Sequence, residues 1–122
     1  MPIPVIANGD LKTASDVESV MGVGYSGAMV GRAMLGRPWI FAEILGTGSR
    51  PGNIGELVLR HFNLMVEYYG ARAAIPMFRK HLAWYSSGMP NSADFRIRVT
   101  QITDEKALKQ EILQFWGCVM QI

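Results

Sequence analysis

Cysteine is almost missing from this sequence: among its 122 residues only Cys118 carries a thiol. A single cysteine excludes an internal disulfide and a cysteine-based zinc site, and it fits a reducing compartment. Long apolar runs are missing as well. No stretch approaches the roughly 18 residues that span a bilayer, and the N-terminus lacks the basic-then-apolar order of a signal peptide. The expected address is therefore the cytoplasm, with no membrane partner. Net charge is only +2, so charge alone gives no argument for nucleic acid, and what matters is whether the cations cluster. Paired carboxylates at catalytic spacing and a Ser-His-Asp arrangement are both lacking. His61 and His81 lie on or beside apolar helix faces without metal-ligand spacing, so no metal is expected.

What is present reads as a globular chain. Hydrophobic residues make up 49% of it, mixed with charge of both signs. The length falls far short of the roughly 250 residues of a complete TIM barrel. Ile3 to Ala7 is a continuous apolar run, as a strand buried on both faces of a parallel sheet would be. Asn8-Gly9-Asp10 ends it, and Thr13 or Ser15 can cap the helix that follows, each with an acid three residues on. Ala14, Val17 and Met21 form one apolar stripe that would pack on the sheet, and Gly22 and Gly24 close the helix. Ala28-Met29-Val30 is the next strand and stops at Gly31; a short helix is expected from about Pro38 to Leu45. Residues 46–52, GTGSRPG, are a helix-breaking linker.

Beyond the linker the pattern is helical. Asn53 can cap a helix through Glu56, with Val58, Phe62, Met65 and Tyr69 at helical spacing and Gly70 as the stop. A second helix is expected over about Ala74 to Ser86, with Phe78, His81, Leu82 and Tyr85 on one face and Pro76 in its first turn. Ser92 is the candidate cap of a third. Phe95 to Val99 alternates as a strand would, yet helical surroundings favour helix there. Thr103 opens a last helix striped by Leu108, Ile112 and Phe115 and ended by Gly117. Short connections between such helices imply an antiparallel bundle.

Two features carry chemistry. Both apolar strands stop at glycine, Asn8-Gly9 in the first and Gly31-Arg32 in the second, and each is followed by helix. Backbone N–H groups at such an end approach an anion with no Cβ in the way, so a phosphate site is expected there. Between Ala71 and Thr103 the cations Arg72, Arg79, Lys80, Arg96 and Arg98 are opposed only by Asp94. Lys80 and Trp84, four apart on the second helix, project together away from its apolar face. A cation for phosphate beside an aromatic ring for a base is how a nucleic-acid surface is built.

VIANGD, GAMVGRAMLGRPWIF and MFRKHLAWY together closely resemble the C-terminal part of bacterial flavin-dependent tRNA-dihydrouridine synthases, including the branch historically called nitrogen-regulation proteins. The resemblance runs from about Ile3 to Trp116. It implies an α/β then all-α fold, mostly helical overall: residues 1–45 as the last two βα units of a flavin-binding TIM barrel, 46–52 as linker, and 53–122 as a tRNA-binding helical bundle. It implies FMN as cofactor, its phosphate end held by Asn8, Gly9, Asp10, Gly31 and Arg32, and NADPH as reductant. RNA contact falls to Arg79, Lys80, Trp84, Arg96 and Arg98. No catalytic residue is expected in this stretch, since the family's catalytic cysteine precedes it and Cys118 lies at the wrong end. The isolated chain is expected to bind FMN weakly or not at all, and its unpaired sheet edge offers a route to a homo-oligomer or a domain swap. The alternatives are a non-enzymatic helical RNA-binding module and a flavin-dependent barrel acting on small pyrimidines.

Overall fold

The computed structural model describes residues 3–9, 11–48 and 50–117. The chain is mostly helical and divides into two compact units, Met1–Arg50 and Pro51–Ile122. In the first, β1 (Ile6–Ala7) pairs in parallel with β2 (Gly27–Ala28), with Ile6 opposite Gly27 and Ala7 opposite Ala28. Between them runs α1 (Ala14–Val23), and after them come a 3-10 turn (Arg32–Met34) and α2 (Ile40–Leu45). Helix α1 starts at Thr13. Its hydroxyl accepts from the Asp16 N–H at 3.1 Å, while the Asp16 carboxylate accepts from the N–H groups of Lys12 and Thr13. Those bonds, that of Lys12 foremost, hold the Asp16 pKa below the ordinary carboxylate value.

Several expectations for this unit need correction. The first strand is two residues long rather than Ile3 to Ala7, and it is not buried on both faces: Ile6 is 65% exposed, and only Ala7 is buried. A two-stranded sheet lacks the neighbours that would cover it. The second strand is Gly27–Ala28, starting one residue before and ending two before the expected Ala28 to Val30, because its partner β1 ends at Ala7, opposite Ala28. The Met29 N–H still takes the Ala7 carbonyl at 2.7 Å, one residue beyond the last paired position. Helix α1 packs on β2 and α2 yet buries no residue fully, and Met21 of its apolar stripe is exposed. It ends at Gly24, with Gly22 inside it. The 3-10 turn was not anticipated, and α2 begins at Ile40, after Pro38.

The second unit holds four helices: α3 (Ile54–Tyr69), α4 (Ala71–Ser86), α5 (Ser92–Gln101) and α6 (Glu105–Trp116). Helix α3 packs on α4 and α6, and α5 packs on α4 and α6. Val58 and Phe62 of α3 meet Phe78 and Leu82 of α4 in a core that also takes Phe95, Val99, Leu108 and Ile112, all essentially without solvent contact. The rings of Phe62 and Phe78 lie 5.2 Å apart, and Phe95 stacks on Phe115 at 4.1 Å. Phe95 to Val99 is helix. Its two buried members, Phe95 and Val99, are four apart and share one helix face.

Capping differs from expectation in two places. Asn91, in the left-handed region, precedes α5, so Ser92 is its first residue rather than its cap. Asp104 caps α6 in place of Thr103, accepting from the Ala107 N–H at 2.9 Å. Helix α4 begins three residues before the expected Ala74, which puts Pro76 in its second turn. It does so because Gly70 alone makes the corner: its N–H reaches the Val66 carbonyl at 2.7 Å and its carbonyl takes the Ala74 N–H at 2.9 Å. The residue has φ +85 and ψ 152, a region open essentially to glycine.

One polar pair sits within the α3–α4 contact. His61 Nδ1 and the Tyr85 hydroxyl are hydrogen-bonded at 2.9 Å, and the His61 ring meets the His81 ring edge-on at 4.7 Å. Burial pushes the Tyr85 phenol up to about 12. Burial first, then the facing imidazole, lowers the His61 pKa, and burial first, then the Lys80 ammonium, lowers that of His81.

Two predictions follow from this packing. Gly70→Ala should destabilise the helical unit by about 1–3 kcal/mol, since the corner forbids a Cβ-bearing residue although space for the methyl is open; urea unfolding followed by helix signal measures it. The folded chain holds fewer protons on His61 and His81 than the unfolded chain does. Stability is therefore complete above the ordinary histidine value of 6.5 and declines as pH falls through it toward the lowered values. The urea midpoint should drop between pH 7.5 and 5.5, and the drop should shrink in the double variant His61→Gln/His81→Gln.

Candidate functional site

Parallel pairing brings the two glycine-bearing strand ends to one end of the sheet. Ala7 and Ala28 are in register, so Asn8-Gly9 after β1 and Met29 to Gly31 after β2 leave side by side. Asn8 and Gly9 are exposed, and Gly9 has φ +136, where an L side chain is strained. A Cβ built at Gly9 or at Gly31 would meet nothing within 4 Å, so the space in front of both backbones is open. Gly31 is the N-cap of the 3-10 turn, its carbonyl accepting from the Met34 N–H at 3.1 Å. Arg32 is exposed and already has a partner, and Asp10 lies outside the described residues. These features suit an anionic group held by backbone amides. The residues present thus fit a phosphate at this end of the sheet.

The basic cluster of the second unit separates into cations with different work. Arg79 is half-buried, and its Nη2 donates to the Ile102 carbonyl at 3.2 Å, while its Nε has no partner. Ile102 is the C-cap of α5, so the guanidinium satisfies a carbonyl at the negative end of that helix. Arg98 is paired with Glu111 of α6. Lys80 and Arg96, by contrast, are exposed and make no ion pair among the described residues. Of the five residues expected on an RNA face, Lys80 and Trp84 are brought together on α4, whereas Arg79 faces the end of α5.

The strip on α4 is wider than the sequence reading made it. Counting 100° per residue, Trp84 lies between Lys80 and His81 around the helix, and Met77 shares the same sector. Trp84 is 39% exposed, and its ring meets that of His81 edge-on at 5.3 Å. His81 in turn touches His61, which is bonded to Tyr85. His61 and His81, expected only on or beside apolar helix faces, are thus joined to that strip through ring contacts. The signal for His81 was its spacing of three from Trp84, which puts the two rings on one side of the helix. Among the described residues no group of three His, Cys, Asp or Glu side chains could hold a metal ion, and no helix is long and apolar enough to cross a membrane.

Comparison with known proteins gives a consistent result. The family model for dihydrouridine synthase matches residues 1–117. A probable tRNA-dihydrouridine synthase of Rickettsia typhi is 41% identical over 97% of this chain, and one of Mycobacterium leprae is 42% identical over 77% of it. The tRNA-dihydrouridine synthase B of Xanthomonas campestris pv. campestris is 37% identical over 88% of it. The aligned stretch covers 39%, 27% and 35% of those relatives' own lengths respectively, so the chain spans at most about two-fifths of the curated relatives it matches. With nearly its whole length matched by the family model, the chain belongs to the dihydrouridine synthase family.

Proposed function

We propose that this chain is the C-terminal part of a flavin-dependent tRNA-dihydrouridine synthase, contributing the phosphate end of an FMN site and an RNA-binding helical unit. The observation that carries the reading is the pair of open, glycine-bearing strand ends set side by side by parallel pairing, in a chain of this family. Asn8, Gly9, Asp10, Gly31 and Arg32 would hold the phosphate, chiefly through backbone N–H groups, with the arginine adding positive charge. FMN, when bound and reduced by NADPH, would supply the hydride for a uracil ring. The helical unit's task is to hold the RNA so that a uridine drawn out of its stack reaches the flavin.

The first unit has the surface of a part. Ile3, Val5, Ile6, Val23, Met29 and Leu45 are all exposed, while among the described residues of this unit the buried hydrophobic side chains are those of Ala7, Leu11 and Ile40. Further strands of the longer relatives would cover that surface and complete the flavin pocket. The helical unit has its own buried core, which suits it to grip RNA on its own. Lys80, Trp84 and Arg96 are the residues assigned to direct contact. Arg79 supports the surface from behind by holding the end of α5, and Arg98 is shared with Glu111.

The test is tRNA binding by the purified chain across salt concentrations. Binding should weaken steeply with salt, and Lys80→Ala and Arg96→Ala should each lower the slope by about 0.7–0.9, one phosphate contact apiece. The same chain should hold no stoichiometric FMN. Absence of tRNA binding at low salt, or slopes unchanged by both substitutions, would overturn the RNA assignment; tight FMN binding by the chain alone would overturn the reading of its first unit as an incomplete pocket.

A further inference from the structure

The strip that carries Lys80 and Trp84 continues without a break into two imidazoles. His81 lies in edge contact with Trp84 at 5.3 Å on its outer side and with His61 at 4.7 Å on its inner side. His61 closes the chain of rings through its 2.9 Å bond to the Tyr85 hydroxyl. Both imidazoles are half-buried, His61 the more so, and both lie against Phe78, with centroids 4.9 Å and 5.6 Å away. We propose that His81 is a proton-uptake site coupled to the RNA face, taking up one proton when a phosphate backbone lies along Lys80 and Trp84. This inference rests on the RNA reading given above and adds to it a regulation of the same surface.

The electrostatic setting supports one proton and no more. Among the described residues the titratable groups that meet or act on His81 are His61 of α3, in ring contact, and Lys80 of α4, with none from α5 or α6; Tyr85 reaches it only through His61. Among the described residues His81 makes no ion pair or hydrogen bond with a carboxylate that could hold an imidazolium. In the free protein burial first, then the Lys80 ammonium, lowers the pKa of His81, and burial first, then the His81 imidazole, lowers that of His61. Two imidazoles with ring centroids 4.7 Å apart would repel if both were charged, so they titrate as a pair and the first proton goes to the better-solvated ring. An RNA phosphate beside Lys80 reverses the balance: it offsets the ammonium and supplies the anion that His81 lacks. By linkage, a surface that binds a proton along with its ligand binds that ligand more tightly as pH falls.

The chain has two histidines in all, which makes the effect readable. The affinity of the full chain for tRNA is measured at pH 8.0 and pH 6.0 at fixed ionic strength, with helix signal recorded at both to confirm an intact fold. The expected result is a gain of about threefold to tenfold per pH unit at its steepest, the upper bound being uptake of one proton. The salt slope should steepen by up to one contact at the lower pH. His81→Gln should abolish the gain, and His61→Gln, which removes the competing imidazole but keeps a hydrogen-bonding side chain near Tyr85, should retain it. A histidine titration followed by NMR should show the His81 pKa rising when tRNA is added. Binding at pH 8.0 that does not strengthen at pH 6.0, or a gain that persists in His81→Gln, overturns this inference and leaves the RNA reading standing. Absence of binding at both values overturns both.

Discussion

The helical unit depends on one residue held where only glycine is comfortable. Gly70 ends α3 and starts α4 with no other residue between them, and its backbone is bonded into both helices. So short a corner leaves α4 little choice but to fold back against α3, which brings Val58 and Phe62 to Phe78 and Leu82. The contact then fixes everything that stands on α4's other sides. His61 meets Tyr85 and His81, Arg79 reaches the end of α5, and Lys80 and Trp84 are left facing solvent. Function on this unit is what the α3–α4 core does not consume.

The two units illustrate opposite relations between apolar surface and burial. The second closes a core of phenylalanines and aliphatic side chains within its own four helices. The first has apolar residues in number but, among the described residues, only two strands of two residues, and its helices bury little. A parallel pair gains its stability from cover on both faces, and two strands with one helix across them do not supply it. The same strand ends nevertheless keep the arrangement an anion needs, because that arrangement depends only on the pairing of Ala7 with Ala28 and on the absence of side chains at Gly9 and Gly31.

Charge was the least local property of the chain. Five cations near one another in sequence behave in three ways once folded: Arg79 satisfies a helix end, Arg98 is paired with Glu111, and Arg72, Lys80 and Arg96 are exposed with no ion pair among the described residues. A basic cluster read from sequence is thus an upper bound on a basic surface. The imidazole pair carries the same lesson, since its two members are 20 positions apart and only the packing of α3 on α4 makes each the neighbour of the other.

The sequence by itself determined the helices of the second half, the cap at Asn53, the stops at Gly70 and Gly117, and the resemblance that placed the chain in its family, and it narrowed the cap of α1 to Thr13 or Ser15. These follow from periodicity and from local side-chain-to-backbone bonds, which act over a few residues and leave their mark in order along the chain. Its account of the strands was less good: length, burial and register in β1 and β2 are set by partners across space, and apolar composition alone cannot report how many partners there are. The helical choice for residues 95–99 also rested on context, because alternation there matches a strand as well as it matches the single buried face of a short helix. Only the tertiary structure decided which cations face solvent, that His81 joins the strip of Lys80 and Trp84, and that His61 and Tyr85 share a hydrogen bond. Each of those depends on distances between helices, and distance between helices is written in packing rather than in spacing.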